Sequence, residues 1–491
     1  MNLSRRDYLL LLLLGGAAFF AHNTVLSPDI MECRNMVAAR EMVLDGHWLL
    51  PTLNGSLRLE KPPLPTWLTA LTWYLRPGSV ALQRGMAGLA GLLLVFGLYD
   101  TVRQLRGRRA ALLSSVILLT CYNVVLMGRT ASWDIYCHAF VMASLPAQLR
   151  ALRGERVWRN SLLAGFLLGL SFLSKGPISL YGLWLPFLLG LFAGERALLR
   201  VRWWPALTGL LVCLVVGTWW YAYVHWAASD AMGTVVERET GNWTRYNMRP
   251  WWYYWRFWLE SGIWSPLALW AVLWPVVGRL CRRRVSRSIV LPWVWTLGAV
   301  VLLSLFPEKK MRYLLPVMLP LSMLMGVWLS EARGWWERPV RVGRFRPSRA
   351  SCVVGGVAVL FFVVEVGFFP LVGHWFGNPV RRSIAEARSD ARLAGVPFYH
   401  DARQLPRPEV MWASGGIIRF TDFTCVDSLA SHLPCAVLTH DPPAAALPAG
   451  LWQCADSLCL GRFDDNTRAP SYPKRYSPVF IYHVTLLTPK P

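Results

Sequence analysis

Long apolar runs alternate with short polar turns along most of this chain. Ala110–Met127, Leu207–Tyr223, Ile289–Leu305 and Ser351–Val372 carry almost no charge. Each approaches the roughly 20 residues that a helix needs to cross about 30 Å of hydrocarbon. Similar runs predict spans at Tyr8–Thr24, Met86–Val102, Ile135–Leu149, Leu162–Leu173, Ile178–Phe192, Trp255–Val277 and Tyr313–Leu329. Trp67–Leu75 is apolar but too short to cross, and is expected in the interface. The pattern predicts a polytopic α-helical membrane protein with about 11–13 transmembrane helices.

The polar turns set an orientation. Arginine clusters occur at Arg5 and Arg6; at Arg103, Arg106, Arg108 and Arg109; and at Arg150, Arg153, Arg156 and Arg159. Further clusters are Arg196, Arg200 and Arg202; Arg279, Arg282, Arg283, Arg284 and Arg287; and Arg333, Arg338, Arg341, Arg344, Arg346 and Arg349. Threading the spans in order puts every cluster on one face, which the positive-inside rule assigns to the cytoplasm. The N-terminus is then cytoplasmic, and Met1–Phe20 reads as a retained signal anchor. The expected domains are a transmembrane part, 1–372, with outer loops 25–80 and 225–254, and an extracytoplasmic part, 373–491. The second part has short alternating segments, Gly416–Phe420, Cys435–Thr439 and Val479–Val484, and reads as a small α/β domain. Its cysteines, Cys425, Cys435, Cys454 and Cys459, are read either as disulfide partners or as free thiols.

Composition agrees with a membrane protein. Hydrophobic residues make up 54% and charged residues 16%, against about 25% charged in soluble domains. The net charge of +23 does not indicate a nucleic-acid surface, because the arginines sit in short clusters between apolar runs. Many of the 27 tryptophans lie at run ends, as interfacial belts do.

The outer turns hold the unusual charges. They contain Asp29, Glu32 and Arg34; Glu60 and Lys61; Arg129 and Asp134; Lys175; and Glu308, Lys309, Lys310 and Arg312. Between them, Asn35–Leu44 can form an amphipathic helix on the membrane, with Met36, Val37, Met42 and Val43 toward lipid or protein. Asn54-Gly55 signals a tight turn. Snorkelling explains isolated lysines and arginines near span ends, but not carboxylates beside them in several separate turns. Such a set suits an anionic substrate and acid–base chemistry. No phosphate-binding Gly-x4-Gly-Lys loop or supported dinucleotide fingerprint is present. The reaction energy must then come from the substrate, and a lipid-phosphate-linked sugar fits.

These residues resemble the first external loop and later turns of the polyprenyl-phosphate-dependent GT-C membrane glycosyltransferases, in particular the lipid A aminoarabinose transferases and bacterial protein mannosyltransferase-like proteins. The resemblance is carried by Arg40-Glu41-Met42, Gly46-x-Trp48, Pro51-Thr52-x-Asn54-Gly55 and Glu60-Lys61-Pro62-Pro63-x-Pro65. Arg129-Thr130 with Asp134, Ser174-Lys175-Gly176 and Lys310-x-Arg312-Tyr313-x-x-Pro316 continue it in order. It covers roughly residues 1–330.

The resemblance implies an inverting transfer of a sugar from an undecaprenyl-phosphate donor to a hydroxyl of a lipid, glycan or protein, at the outer face of a bacterial inner membrane. The family pattern has an Asp-Glu pair in the first loop with the Asp as base; here the Asp position reads Met31. The base then falls to Glu32, with Asp29 and Asp134 as alternatives. Candidate donor-phosphate ligands are Lys61, Arg58, Lys175, Lys310, Arg312 and Tyr313. Candidate substrate contacts are Arg34, Glu60, Arg129, Asn54 and Arg245. No cofactor is required, although Glu60 offers oxygen ligands for a divalent cation. A transporter or flippase of lipid-linked sugars is the alternative, against which stands the absence of a repeat between the two halves. The sequence names neither the sugar nor the acceptor.

Overall fold

The computed structural model describes residues 2–199, 201–245, 247–283, 285–343, 346–378, 381–468, 470–471 and 476–490. Arg200, Arg284 and Arg344 of the basic clusters therefore lie outside the described residues. The chain divides into two compact units. One is Met1–Asn23 with Leu59–Phe368, and the other is Thr24–Arg58 with Phe369–Pro491.

The first unit is almost entirely helical. Its helices are α1 (Asn2–Phe20), then α3 (Leu64–Leu71), α4 (Val80–Leu119), α5 (Tyr122–Gly128), α6 (Trp133–Leu152) and α7 (Val157–Lys175); α2 (Ile30–Leu44) belongs to the other unit. They continue with α8 (Leu185–Gly194), α9 (Trp203–Ala227), α10 (Ser229–Arg245), α11 (Ser265–Leu280), α12 (Val290–Ser304), α13 (Leu315–Glu331) and α14 (Arg349–Val363). Each predicted span falls mostly on helix, although Tyr8–Thr24 runs past the end of α1 and Ala110–Met127 is broken between α4 and α5. Among the described residues, 7 helices are long and apolar enough to cross a membrane. Trp67–Leu75 falls on α3 and a following 3-10 turn, Thr72–Tyr74, a stretch far shorter than a span.

Two glycines shape the packing. The predicted spans at Met86–Val102 and Ala110–Met127 share α4, which breaks at Gly107 with φ 82° and ψ 176°, a conformation only glycine adopts without strain. Gly209 on α9 brings its backbone so close to α7 that an added β-carbon would lie 2.6 Å from the Ser161 carbonyl oxygen. Small residues that let backbones approach are the common device for joining helices in lipid.

The basic turns share one end of this unit. Arg106 pairs with Glu195 at 2.6 Å and donates to the Ser288 carbonyl at 3.0 Å. Arg109 reaches Ser348 at 2.9 Å, and Arg153 reaches the Gln104 carbonyl at 2.6 Å. Arg108 grips Asp7 of α1 through two bonds of 2.6 Å, and Tyr99 donates to the same carboxylate.

The second unit is built on a five-stranded sheet of β3 (Phe398–Asp401), β4 (Ile418–Thr421), β5 (Cys435–Thr439), β6 (Ala455–Asp464) and β7 (Ile481–Pro489), in the order β4-β3-β5-β7-β6. β3 pairs in parallel with β4 and β5, while β7 runs antiparallel to β5 and β6. The three predicted strand segments fall on β4, β5 and β7. All four cysteines of this region are free thiols.

The helix expected on the membrane surface has a different setting. It is α2 (Ile30–Leu44), and Met36, Val37 and Met42 are fully buried. Val37 joins a core with Ile384, Phe398, Met411 and Ile418. Arg40 seals the junction by donating to the carbonyls of Met411 at 3.1 Å and Gly416 at 3.0 Å. A hairpin of β1 (Thr52–Leu53) and β2 (Ser56–Leu57) follows, turning through Asn54 and Gly55 at positive φ, as the Asn-Gly pair predicts.

Candidate active site

In the first unit, one group of charges gathers where α6 begins and α7 ends. Asp134 lies in the first turn of α6, where the helix dipole favours a carboxylate, and is 1% exposed. Its partner is Lys175, the last residue of α7, with which it forms an ion pair. Gly176, at φ 74°, terminates α7 directly after the lysine and fixes its position.

Tyr313 binds the rest of the group. The Lys175 ammonium lies 4.9 Å from the centre of its ring, the Lys310 ammonium 5.8 Å, and the Arg312 guanidinium 5.7 Å. Arg312 also acts electrostatically on Asp134. Lys310 pairs with Glu308, and its peptide is clamped by the Tyr254 hydroxyl, which accepts from its N–H at 2.9 Å and donates to its carbonyl at 3.1 Å. Four residues that the sequence assigned to phosphate, Lys175, Lys310, Arg312 and Tyr313, thus converge with Asp134.

Lys309 behaves differently. It is 4% exposed, and its ammonium donates to the carbonyls of Arg249 and Phe306. Burial lowers its pKa. It anchors the turn and leaves Lys310 as the lysine of this turn that reaches Tyr313. Arg129, a candidate substrate contact, is 8% exposed, pairs with Glu365 at 2.5 Å and donates to the carbonyl of Ala18 at 2.6 Å. It ties α1 to the helical segment that continues α14. Arg245 stands exposed at the end of α10, and nothing among the described residues joins it to the Asp134 group. Glu60 and Lys61 are half-buried just ahead of α3.

The second unit holds the remaining candidates. Asp29 caps α2, accepting from the N–H groups of Met31 and Glu32 at 2.8 and 2.9 Å. Glu32 is 3% exposed and accepts from the Asp29 N–H at 3.1 Å, completing a capping box. Arg34 is half-buried one turn on, and Arg58 is buried with its N–H on the Pro51 carbonyl at 2.7 Å. Asn54 is held on both sides of its amide by Ile418 of β4, at 2.8 and 2.7 Å. Glu41 accepts from the Thr52 hydroxyl at 2.6 Å, the Asn54 N–H at 2.8 Å and the Gly55 N–H at 3.2 Å. Much of the first-loop motif is therefore architecture: Arg40, Glu41 and Asn54 fasten helix and hairpin to the sheet.

Sequence reading passed over His138, one turn beyond Asp134 on α6, 2% exposed and in electrostatic contact with it. The i, i+4 spacing was the available signal. It also passed over Glu365, a lone carboxylate in an apolar run. Among the described residues, no group of three or more His, Cys, Asp or Glu side chains could hold a metal ion, so Glu60 stands outside any such group.

The model of the dolichyl-phosphate-mannose-protein mannosyltransferase family matches residues 60–221. An undecaprenyl phosphate-alpha-4-amino-4-deoxy-L-arabinose arabinosyl transferase of Pectobacterium atrosepticum is 27% identical over 365 residues, covering 71% of this chain and 62% of the relative. One from Pseudomonas fluorescens is 28% identical over 347 residues, covering 67% and 61%. The matches thus span less than two thirds of these relatives' length. The crystal structure of ArnT from Cupriavidus metallidurans bound to undecaprenyl phosphate aligns with a TM-score of 0.67 at 16% identity, covering 99% of this chain and 98% of that one. In sequence and fold the chain resembles the polyprenyl-phosphate GT-C glycosyltransferases.

Proposed function

We propose that this chain is a membrane glycosyltransferase that moves a sugar from undecaprenyl phosphate to a hydroxyl of a lipid, glycan or protein, inverting the anomeric centre. The observation that carries the reading is the convergence of Lys175, Lys310 and Arg312 on Tyr313 beside buried Asp134. Three cations around one ring, in an apolar helical unit, suit a phosphate on a lipid tail. The named activity of the arabinosyl transferases supports transfer over a flippase.

In the proposed reaction the acceptor oxygen attacks the sugar's anomeric carbon as the bond to the phosphate oxygen breaks. The polyprenyl phosphate leaves with the bonding pair. Lys175, Lys310 and Arg312 stabilise the charge that grows on it, the kind of fixed electrostatic effect that usually dominates catalysis. Asp134 holds the Lys175 ammonium in place. Lys61 and Arg58 are further proposed phosphate ligands, and Arg34, Glu60 and Arg245 proposed sugar or acceptor contacts. Glu32 is the proposed base that takes the acceptor proton, with Asp29 or Asp134 as its replacement. General-base help of this kind adds about 10²–10⁴-fold.

The proposed setting is a bacterial inner membrane, with the arginine-rich end cytoplasmic and residues 373–491 periplasmic. Purified protein incubated with a labelled undecaprenyl-phosphate sugar and cell-envelope acceptor tests the reading. Label transferred to the acceptor supports it, and donor bound without any transfer counts against it.

A further inference from the structure

The second unit contains a cleft of about 460 Å³ whose Glu409, Trp412 and Phe480 no step above uses. Asp29 of the α2 cap lines it, with Arg381, Glu409, Trp412, Asp465 and Phe480. Three carboxylates and one guanidinium line it, and the Arg407 and Arg34 charges act on Glu409 from beside it.

Most of these polar groups already have structural tasks. Asp29 caps α2. Asp465 accepts from the Ser383 hydroxyl at 2.6 Å, the Ile384 N–H at 3.1 Å and Arg381 at 3.3 Å. Arg381 also donates to Ser27. Glu409 is the exception. One of its oxygens lies 3.7 Å from Arg407, and the other is buried with no hydrogen-bond partner among the described residues. Buried polar atoms are nearly always satisfied, so such an atom calls for a water or a ligand, and the Glu409 side chain is 17% exposed. Burial, with the Asp29 charge nearby, raises the Glu409 pKa.

Trp412 and Phe480 supply aromatic surface to the same cleft. Ring faces are electron-rich and attract polarised C–H groups, which one face of a pyranose presents. The volume lies within the range of small-ligand sites, roughly 300–1,000 Å³. A phosphate would meet three carboxylates, while Arg381 is bound to Asp465 and Arg407 lies against Glu409 and the Phe480 ring.

We propose that this cleft is a saccharide subsite for the acceptor, taking a pyranose ring that is neutral or bears an amine but not one that bears phosphate. Glu409 receives a ring hydroxyl or amine, and Trp412 stacks on the ring. The assignment to the acceptor rests on the transferase reading; binding of the sugar does not.

Saturation-transfer NMR on the full chain in detergent, with glucose, glucosamine and glucose 6-phosphate as probes, tests the site. Wild type should transfer magnetisation to the first two sugars only, and Glu409→Gln or Trp412→Ala should weaken this about fivefold or more. Equal signals in the variants, or a dominant signal from glucose 6-phosphate, would overturn the site. Glu409→Gln keeps the shape of the side chain, so the test survives if Trp412→Ala misfolds. In transfer assays both variants should raise the acceptor KM about tenfold, with kcat and donor KM within about twofold. Unchanged acceptor KM in active variants sinks the acceptor assignment. Sugar binding by a wild type that transfers nothing sinks the transferase reading and leaves the site.

Discussion

Lys175, the final residue of α7, pairs with Asp134, the second residue of α6, and holds its ammonium 4.9 Å from the ring centre of Tyr313. One lysine therefore joins two helix ends to a third segment. Removing one member of a buried pair strands the other charge, which typically costs 3–5 kcal/mol. Lys175→Ala should lower thermal stability and cut kcat by about 10²–10³-fold, the range for loss of one charge-stabilising donor. The double variant Asp134→Asn/Lys175→Ala should recover stability over Lys175→Ala, without recovering kcat. Thermal unfolding with steady-state rates separates the two effects. Recovery of kcat would make the pair purely structural.

Arg129 carries the opposite expectation. Its contacts include Glu365 at 2.5 Å and the carbonyls of Ala18 and Ala17 of α1. Arg129→Gln should therefore lower the melting temperature while leaving donor KM within about twofold, the pattern of a variant that loses no substrate contact. A tenfold rise in donor KM at unchanged stability would return Arg129 to the substrate.

Glu41 accepts three hydrogen bonds from the Thr52–Gly55 turn. Glu41→Ala leaves those donors without a partner, at about 1–3 kcal/mol for each buried group. Limited proteolysis should then cut the chain between residues 50 and 58, where wild type resists. Equal resistance in the variant would show that the hairpin is held without Glu41.

Glu409 makes the second unit's stability depend on pH. Burial raises its carboxyl pKa above the ordinary 4.5. For a raised acid, the stability contribution is complete below the unfolded value and lost as pH rises through the folded value. Glu409→Gln should thus match wild type near pH 4 and exceed it at neutral pH, in unfolding followed across that window. A variant less stable than wild type at neutral pH would contradict the shift.

The legible parts of this molecule are those set by local pattern. Apolar runs gave the helices, arginine clusters gave the shared basic end, and Asn54-Gly55 gave the hairpin turn. Lys175, Lys310, Arg312 and Tyr313 were legible because each sits at a helix end in a short charged turn. Illegible were the pairings across long separations. Arg129 finds Glu365, and Arg40 finds the carbonyls of Met411 and Gly416, only through tertiary packing. The same holds for α2: Met36, Val37 and Met42 are compatible with lipid or protein, and Val37 is claimed by the core of a sheet that begins more than 300 residues later.

The proposed sugar transfer from a lipid phosphate assigns the base to Glu32 and the phosphate to the Lys175 group. The direct measurement is transfer of labelled sugar from an undecaprenyl-phosphate donor by purified wild type, Glu32→Gln and Lys175→Ala, each checked for folding. The account expects transfer by wild type, a loss of about 10²–10⁴-fold in Glu32→Gln, and retained donor binding in that variant. Undiminished transfer by both folded variants would contradict it.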